Sequence, residues 1–265
     1  MLVTNFLQKR KSVRDFKTTK VDKYELAIIK DAIEQISKEN DDLLKFQLLE
    51  NGSIVSEGLK GKAGYGGVMI EAPHYVSISS EKETLENKLK IGYTLEKLNT
   101  KIVNLDIDTC WITVDEVDKE TMNSVFGEDG ERINYLIGFG YGKAKKLFSK
   151  ETTSSRNPVK EMVFEGEIGN PVSAELLEER GLLDIFSTII YAPSHKNFQP
   201  WRFVLKDSEV EVYMEKSDED LRSLIDIGVI MFYFEELARD NSIDGKWDLN
   251  IHEEGNYLKI ASFKL

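Results

Sequence analysis

The stretch YAPSHKNFQPWRF, residues 191–203, places a run of polar side chains between two prolines and then continues into an apolar segment. Serine and asparagine favour turns because their side chains bond to nearby backbone groups. The residues from Trp201 to Val204 have the composition of a strand. A segment that only joined a helix to a strand would need fewer polar groups. We therefore interpret the stretch as a loop that holds a ligand.

The composition indicates a folded protein of one large or two small domains. The chain has 265 residues, of which 41% are hydrophobic, and a formal net charge of −12, which disfavours binding to nucleic acid. No apolar run approaches the ~20 residues that span a bilayer, and the N-terminus has no signal-peptide pattern, so we expect a cytoplasmic protein without a membrane partner. The single cysteine, Cys110, excludes an internal disulfide, and the three histidines have no metal-site spacing.

A cluster of positive charge lies near the N-terminus, in the segment QKRKSVR. Lys9, Arg10, Lys11 and Arg14 are close in sequence, and Ser12 adds a hydroxyl donor. On an acidic chain these groups suit the binding of one small anion. An ordinary solvated helix end would have the same composition. This segment alone leaves both interpretations open.

Hydrophobic periodicity predicts alternating helices and strands, and hence an α+β fold with a central sheet. The predicted helices are residues 22–36, 84–105 and 118–127, and the predicted strands are residues 44–50, 74–79, 109–114 and 133–142.

The predicted order of helix, strand, glycine-containing helix and terminal strand occurs twice. Ile-Gly lies within a helical pattern at Gly92 in the first copy and at Gly228 in the second. We therefore predict two degenerate half-domains, residues 1–155 and residues 156–265. The matching segments are residues 21–33 with 172–186, where an amphipathic helix is expected, 89–98 with 224–237, and 134–140 with 256–263.

Two segments resemble signatures of the FMN-dependent nitroreductase family. QKRKSVRDF (8–16) resembles the family's RRSxRxF, and APSHKNFQPWRFV (192–204) resembles its APSSxNxQPWRFxV. Shorter similar segments are EAPHYVSIS (71–79), LDIDTCWI (105–112) and SRNPVKEMV (155–163). The resemblance covers most of the chain, and the two-copy form is similar to the Thermotoga-type branch of the family.

The placement of the two signatures implies a fused pseudodimer. In the family, FMN lies at a dimer interface, where one subunit supplies the RRSxR phosphate site and the other the PSxxN segment. Here the first signature is in the first copy and the second signature is in the second copy. The resemblance therefore implies a nitroreductase-like fold with one FMN site per chain, as a monomer or a homodimer.

The residue types suit the parts of FMN. A phosphate dianion favours cations and hydroxyl donors, and the ribityl chain and pyrimidine edge favour donors from a rigid loop. In the family, the L-G-L-G segment offers backbone groups to the isoalloxazine ring. The predicted FMN-binding residues are Arg10, Lys11, Ser12, Arg14, Asp106, Ile107, Arg156, Pro193, Ser194, His195, Asn197 and Gln199.

The resemblance implies an oxidoreductase in which NADH or NADPH reduces FMN by hydride transfer. A small acceptor, nitroaromatic or quinone-like, is then reduced in ping-pong order, with no catalytic acid or base from the chain. Cys110 and Trp201 are interpreted as packed residues.

One departure from the family leaves alternatives to this activity. Asp106 and Asp108 replace the glycines of L-G-L-G, and carboxylates near a flavin would lower its potential. An FMN-binding carrier or sensor with little reductase activity is the first alternative. A degenerate scaffold that binds no flavin is the second.

Overall fold

The computed structural model describes residues 6–7, 10–40, 43–144, 154–217 and 220–265. Lys9 of the basic cluster and residues 145–153, just before the predicted end of the first half at residue 155, lie outside the described residues. The chain divides into two compact units. Unit 1 comprises Met1–Arg10, Thr84–Glu96 and Glu151–Leu265, and unit 2 comprises Lys11–Glu83 and Lys97–Lys150.

The described residues form α-helices and β-strands, which alternate over residues 23–165. The helices are α1 (Lys23–Glu39), α2 (Gly52–Gly58), α3 (Leu85–Val103), α4 (Lys119–Phe126), α5 (Val159–Met162), α6 (Ala174–Glu179), α7 (Leu183–Ile189) and α8 (Asp220–Asp240). The strands are β1 (Leu44–Leu49), β2 (His74–Ser80), β3 (Asp108–Thr113), β4 (Ile133–Gly140), β5 (Val163–Glu165), β6 (Trp201–Leu205), β7 (Glu209–Glu215), β8 (Trp247–Glu254) and β9 (Tyr257–Lys264). Among the described helices, none has the length and apolarity needed to cross a membrane.

The helices and strands predicted between residues 22 and 142 are confirmed, with shifts of at most three residues at their ends. Two of the helices begin at side-chain caps. Asp22 accepts a hydrogen bond from the backbone N–H of Tyr24 at 2.8 Å, and Asp118 accepts one from Thr121 at 2.9 Å. Such caps satisfy amide groups that the first turn of a helix leaves without a partner.

The single helix predicted within residues 172–186 is wrong, because the structure has α6 and α7 there. The break occurs at Gly181, whose φ of +67° lies in the left-handed region. The N–H of Gly181 donates to the carbonyl of Glu178, and the N–H of Leu182 donates to that of Leu177. This is the Schellman pattern of a helix end, which glycine allows without steric cost.

The two units contain sheets with the same strand order. The sheet of unit 2 has the order β1-β2-β4-β3 and is antiparallel throughout. The sheet of unit 1 has the order β5-β6-β7-β9-β8, in which only β5 pairs in parallel with its neighbour. Apart from β5, each sheet has four strands. In the chain, a long helix separates the first two strands from the last two, and the last two lie in the sheet in the reverse of their chain order.

The sequence patterns did not predict β7 and β8, which complete the sheet of unit 1. β8 carried a signal, since Trp247, Leu249 and Ile251 alternate with polar residues along the strand. In β7, Glu209, Val210, Glu211 and Val212 alternate in the same way, although five successive residues of the strand are buried.

Within unit 1, the first part of α3 crosses α8 at a glycine in each helix. A Cβ atom on Gly92 would overlap the carbonyl oxygen of Ile225, and one on Gly228 would overlap the carbonyl oxygen of Leu89. Ile225 lies three residues before Gly228, and Leu89 lies three residues before Gly92. The contact is therefore reciprocal, as in an interface between two-fold-related elements.

We expect Gly92→Ala to destabilise the protein by about 1–3 kcal/mol, because the added methyl group meets backbone atoms that cannot rotate away. In an exposed helix the same change would stabilise by about 1 kcal/mol, so the sign itself is diagnostic. Urea unfolding measures the effect. Glu86→Ala, at an exposed position of the same helix, is the control and should stay within about 0.5 kcal/mol of the parent protein. A stabilised Gly92→Ala variant would contradict the close crossing.

His74, the first residue of β2, is fully buried in unit 2. Its Nε2 accepts a hydrogen bond from the backbone N–H of Val21 at 3.0 Å, and its ring stacks on Phe139 at 5.2 Å between centroids. An accepting Nε2 requires the neutral ring with the proton on Nδ1. Burial lowers the pKa of His74 accordingly.

This lowered pKa predicts a loss of stability in acid. Below about pH 6.5 the unfolded chain takes up a proton on His74, whereas the folded chain does so only at lower pH. The free energy of unfolding therefore falls as the pH drops from about 6.5 towards the folded pKa. His74→Gln retains an acceptor near the Nε2 position and cannot titrate, so denaturant midpoints should show a weaker pH dependence in this variant. Equal pH dependence in both proteins would show that His74 does not contribute.

Candidate functional site

The loop at residues 193–199 joins α7 to β6 in unit 1 and has an unusual backbone. Lys196, Asn197 and Gln199 have φ values of +47°, +61° and +51°, in the left-handed region that residues other than glycine rarely adopt. Such a conformation persists only where surrounding contacts hold it, and it is concentrated at ligand sites. The loop is thus a candidate binding element on its backbone geometry alone.

Two amide side chains tie this loop to residues 155–157. Asn197 donates from Nδ2 to the carbonyl of Ser155 and accepts at Oδ1 from Nη1 of Arg156, both at 2.8 Å. Gln199, which is 3% exposed, accepts at Oε1 from the N–H of Asn157 at 2.9 Å. The sequence separation of about forty residues is bridged by these bonds. Gln199 therefore helps to fix the loop against residues 155–157.

The first residues of the loop are held from inside the loop and from α8. Ser194 Oγ accepts the N–H of Gln199 at 3.0 Å. The N–H of His195 donates to both carboxylate oxygens of Asp226 at 3.0 Å each. Asp226 is 7% exposed and was not among the predicted site residues. No local pattern could indicate it, since it is an acidic residue within a helix far along the chain.

Arg10 and Arg156 provide positive charge in the same unit. Arg10 donates from Nε to Glu96 Oε1 at 3.2 Å, and Arg156 donates from Nη1 to the carbonyl of Ala192 at 3.0 Å. Burial lowers the pKa of Arg156, and the positive charge of Arg10 lowers it further. The two guanidinium groups are therefore close enough to repel each other. An anion bound beside them would relieve that repulsion.

The remainder of the basic signature belongs to unit 2. Ser12 forms a parallel bridge with Thr109, and the N–H of Val13 donates to the carbonyl of Thr109 at 2.9 Å. The side chains of Lys11, Ser12 and Arg14 are exposed. Ser12 and Val13 therefore lie beside Thr109, the residue that follows the segment in place of L-G-L-G.

The segment LDID, residues 105–108, has a backbone conformation that glycine adopts easily. Asp106 is exposed and has a φ of +59°, and aspartate is among the few residues that tolerate this region. Ile107 is 1% exposed, so its side chain belongs to the core. The Oδ2 atom of Asp108 accepts the N–H of Gly142 at 2.8 Å. The carboxylate of Asp108 therefore has a structural partner at the end of β4.

The interpretation of Cys110 and Trp201 as packed residues is confirmed. Cys110 is 3% exposed and lies in the core of unit 2. Trp201 is fully buried, and its Nε1 donates to the sulfur of Met162 at 3.3 Å.

The predicted site residues thus fall into two groups. Unit 1 contains Arg10, Arg156, Pro193, Ser194, His195, Asn197 and Gln199, and unit 2 contains Lys11, Ser12, Arg14, Asp106 and Ile107.

These features define a protein of the nitroreductase class. Residues 3–238 match the family described as "Putative TM nitroreductase", and the chain belongs to this family. The resemblance noted in the sequence is thereby confirmed. A putative nitroreductase from Thermotoga maritima MSB8 is 20% identical, with 98% of this chain and 94% of that chain covered and a TM-score of 0.59. This likeness confirms the α+β nitroreductase-like fold.

Other solved structures match about half of the chain. An FMN-dependent nitroreductase from Clostridium difficile R20291 is 20% identical, covering 55% of this chain and 91% of its own, with a TM-score of 0.43. A nitroreductase with bound FMN from Bacteroides fragilis NCTC 9343 is 15% identical, covering 58% and 95%, with a TM-score of 0.45. No curated protein matches the sequence of this chain.

Two variants of Asn197 distinguish the contribution of its side-chain hydrogen bonds to stability from the cost of its left-handed backbone. Both Asn197→Ala and Asn197→Gly lose the bonds to Ser155 and Arg156, at about 1 kcal/mol each. Alanine also occupies the left-handed region at a cost of about 1–2 kcal/mol, which glycine avoids. We therefore expect Asn197→Gly to be the more stable variant in urea unfolding.

The control for this comparison is Ser124, an exposed residue in α4. There the order should reverse, because glycine is less favourable than alanine by about 1 kcal/mol in a helix. The same order of glycine and alanine at both positions would contradict the strained loop.

Proposed function

We propose that the chain is an FMN-dependent oxidoreductase that uses NADH or NADPH to reduce a small acceptor, nitroaromatic or quinone-like. The observation that carries the proposal is the pairing of Arg10 and Arg156 beside the strained loop at residues 193–199. Membership of a nitroreductase family supports the same activity.

The basic residues fit the phosphate of FMN. A phosphate near its dianionic form favours forked guanidinium donors. Arg156 is held by Ala192 and Asn197, and Arg10 is held by Glu96, so both groups have defined positions before a ligand binds. Lys11, Ser12 and Arg14 stay predicted ligands of the phosphate, on the resemblance of residues 8–16 to RRSxRxF.

The loop fits the rest of the cofactor mainly through its backbone. The side chains of Ser194, Asn197 and Gln199 bond within the protein, so their role is to fix the loop. Pro193 has no N–H, and the N–H of His195 already donates to Asp226, so these two residues would offer carbonyl oxygens to the hydroxyl groups of the ribityl chain. Asp106 and Ile107 stay predicted contacts of the isoalloxazine, on the resemblance of residues 105–108 to L-G-L-G.

We further infer a fused pseudodimer whose halves are residues 1–155 and 156–265. The shared strand order of the two sheets supports this architecture, as do the reciprocal contacts of Gly92 and Gly228. Because each signature occurs once, the chain would hold one FMN. A monomer and a homodimer both satisfy this arrangement.

Bound FMN would supply the redox chemistry, which is hydride transfer from the nicotinamide and reduction of the acceptor. The residues of the chain bind and orient the cofactor and exclude water. None is required to act as a catalytic acid or base.

We expect the purified or FMN-reconstituted protein to show the visible absorbance bands of flavin, with one FMN per chain. Anaerobic addition of NADH or NADPH should bleach these bands. Arg156→Ala should weaken FMN binding by roughly 10–100-fold, because it removes charge-assisted bonds of ~1.5–3 kcal/mol. Arg132→Ala is the matched control, since Arg132 is an exposed arginine paired with Asp129 in unit 2.

Three other results of the FMN titration would contradict parts of this proposal. Two FMN per chain would contradict the single site. Bound flavin that neither nucleotide bleaches would favour the carrier or sensor, in which Asp106 and Asp108 lower the potential. A protein that cannot be loaded with FMN would leave the degenerate scaffold.

A further inference from the structure

Glu96 is a fully buried carboxylate in the part of α3 that belongs to unit 1. A buried charge is unfavourable unless it is paired and hydrogen-bonded. Glu96 Oε1 accepts from Nε of Arg10 at 3.2 Å and from the hydroxyl of Tyr233. The side chain of Arg10 is itself only 8% exposed. The three residues form a buried network around one cation of the candidate phosphate site.

The bond to Nε determines the direction of the whole guanidinium group. The group is planar and its donors keep fixed relative directions, so holding Nε limits where the two terminal nitrogens point. The hydroxyl of Tyr233 in turn restricts the carboxylate. A loosely held arginine would have to lose this rotational freedom when an anion binds, which would weaken binding.

The helix that carries Tyr233 also holds the loop. Asp226 and Tyr233 are seven residues apart on α8, which is about two turns, so they project from the same side of the helix. Asp226 bonds to the N–H of His195, whereas Tyr233 acts on Arg10 through Glu96. One side of one helix thus orders both the loop and the cation.

We propose that Glu96, together with Tyr233, is a positioning residue that directs Arg10 at the flavin phosphate and so makes the protein prefer FMN over riboflavin. The inference rests on the proposed function. Neither Glu96 nor Tyr233 touches the cofactor in this arrangement, so both act through Arg10.

The same helix pair contains a matched control. Glu235 on α8 is 12% exposed, accepts from Nη2 of Arg239 at 3.2 Å and interacts with the hydroxyl of Tyr93 on α3. It therefore combines a carboxylate, an arginine and a tyrosine, as Glu96 does, but its arginine is not a site residue. Glu235→Gln reports what the loss of such a network does to the helix pair in general.

The test compares dissociation constants for FMN and riboflavin, measured by quenching of flavin fluorescence in the full-length protein. We expect Glu96→Gln to weaken FMN binding by at least about 10-fold and to change riboflavin binding by less than about two-fold, because riboflavin has no phosphate. Tyr233→Phe should act in the same direction with a smaller effect. Glu235→Gln should keep the FMN-to-riboflavin ratio of the parent protein.

The two variants keep the inference testable if Glu96→Gln does not fold, since Tyr233→Phe removes only one hydroxyl group. Equal weakening of both flavins would indicate a purely structural role and overturn the inference. An unchanged FMN preference in both variants would overturn it while leaving the proposed function intact. A parent protein that binds neither flavin would overturn the proposed function as well.

Discussion

The close crossing of α3 and α8 at Gly92 and Gly228 is the contact on which the site in unit 1 depends. Side chains of even one carbon would separate the two backbones. The same two helices carry Glu96, Asp226 and Tyr233, so their separation sets where Arg10 and the loop at residues 193–199 are held. Packing in the core is thereby linked to electrostatics at the site, because the buried network exists only when the helices meet at this distance.

The buried pair of Arg10 and Glu96 is better explained by positioning than by stability. Removing two charges from water costs about as much as their attraction returns, so such pairs contribute little to the net free energy of folding. The loop at residues 193–199 does not stabilise the fold either, because a left-handed backbone at three residues other than glycine is unfavourable. Both features require support from the surrounding fold, and in both the supporting side chains come from segments far away in the sequence.

The parts of the fold that could be predicted are those encoded by short-range patterns. The periodicity in α1 and the caps at Asp22 and Asp118 act within one or two helical turns, and the helices were placed correctly. The predicted helix within residues 172–186 failed because a left-handed Gly181 and two backbone bonds end α6 early. β7 was not predicted, although its first four residues alternate between glutamate and valine as a strand would. At Gly181, by contrast, backbone detail outweighed the local pattern.

The sequence by itself determined the resemblance to the family, the repeated order of elements and the identity of the basic and loop residues. Only the tertiary structure decided which groups hold those residues. Arg10 and Glu96 are 86 positions apart, and His195 and Asp226 are 31 apart. The physical reason is that residue type and spacing describe interactions along the chain, whereas the partner of a buried charge depends on which helices cross and at what distance.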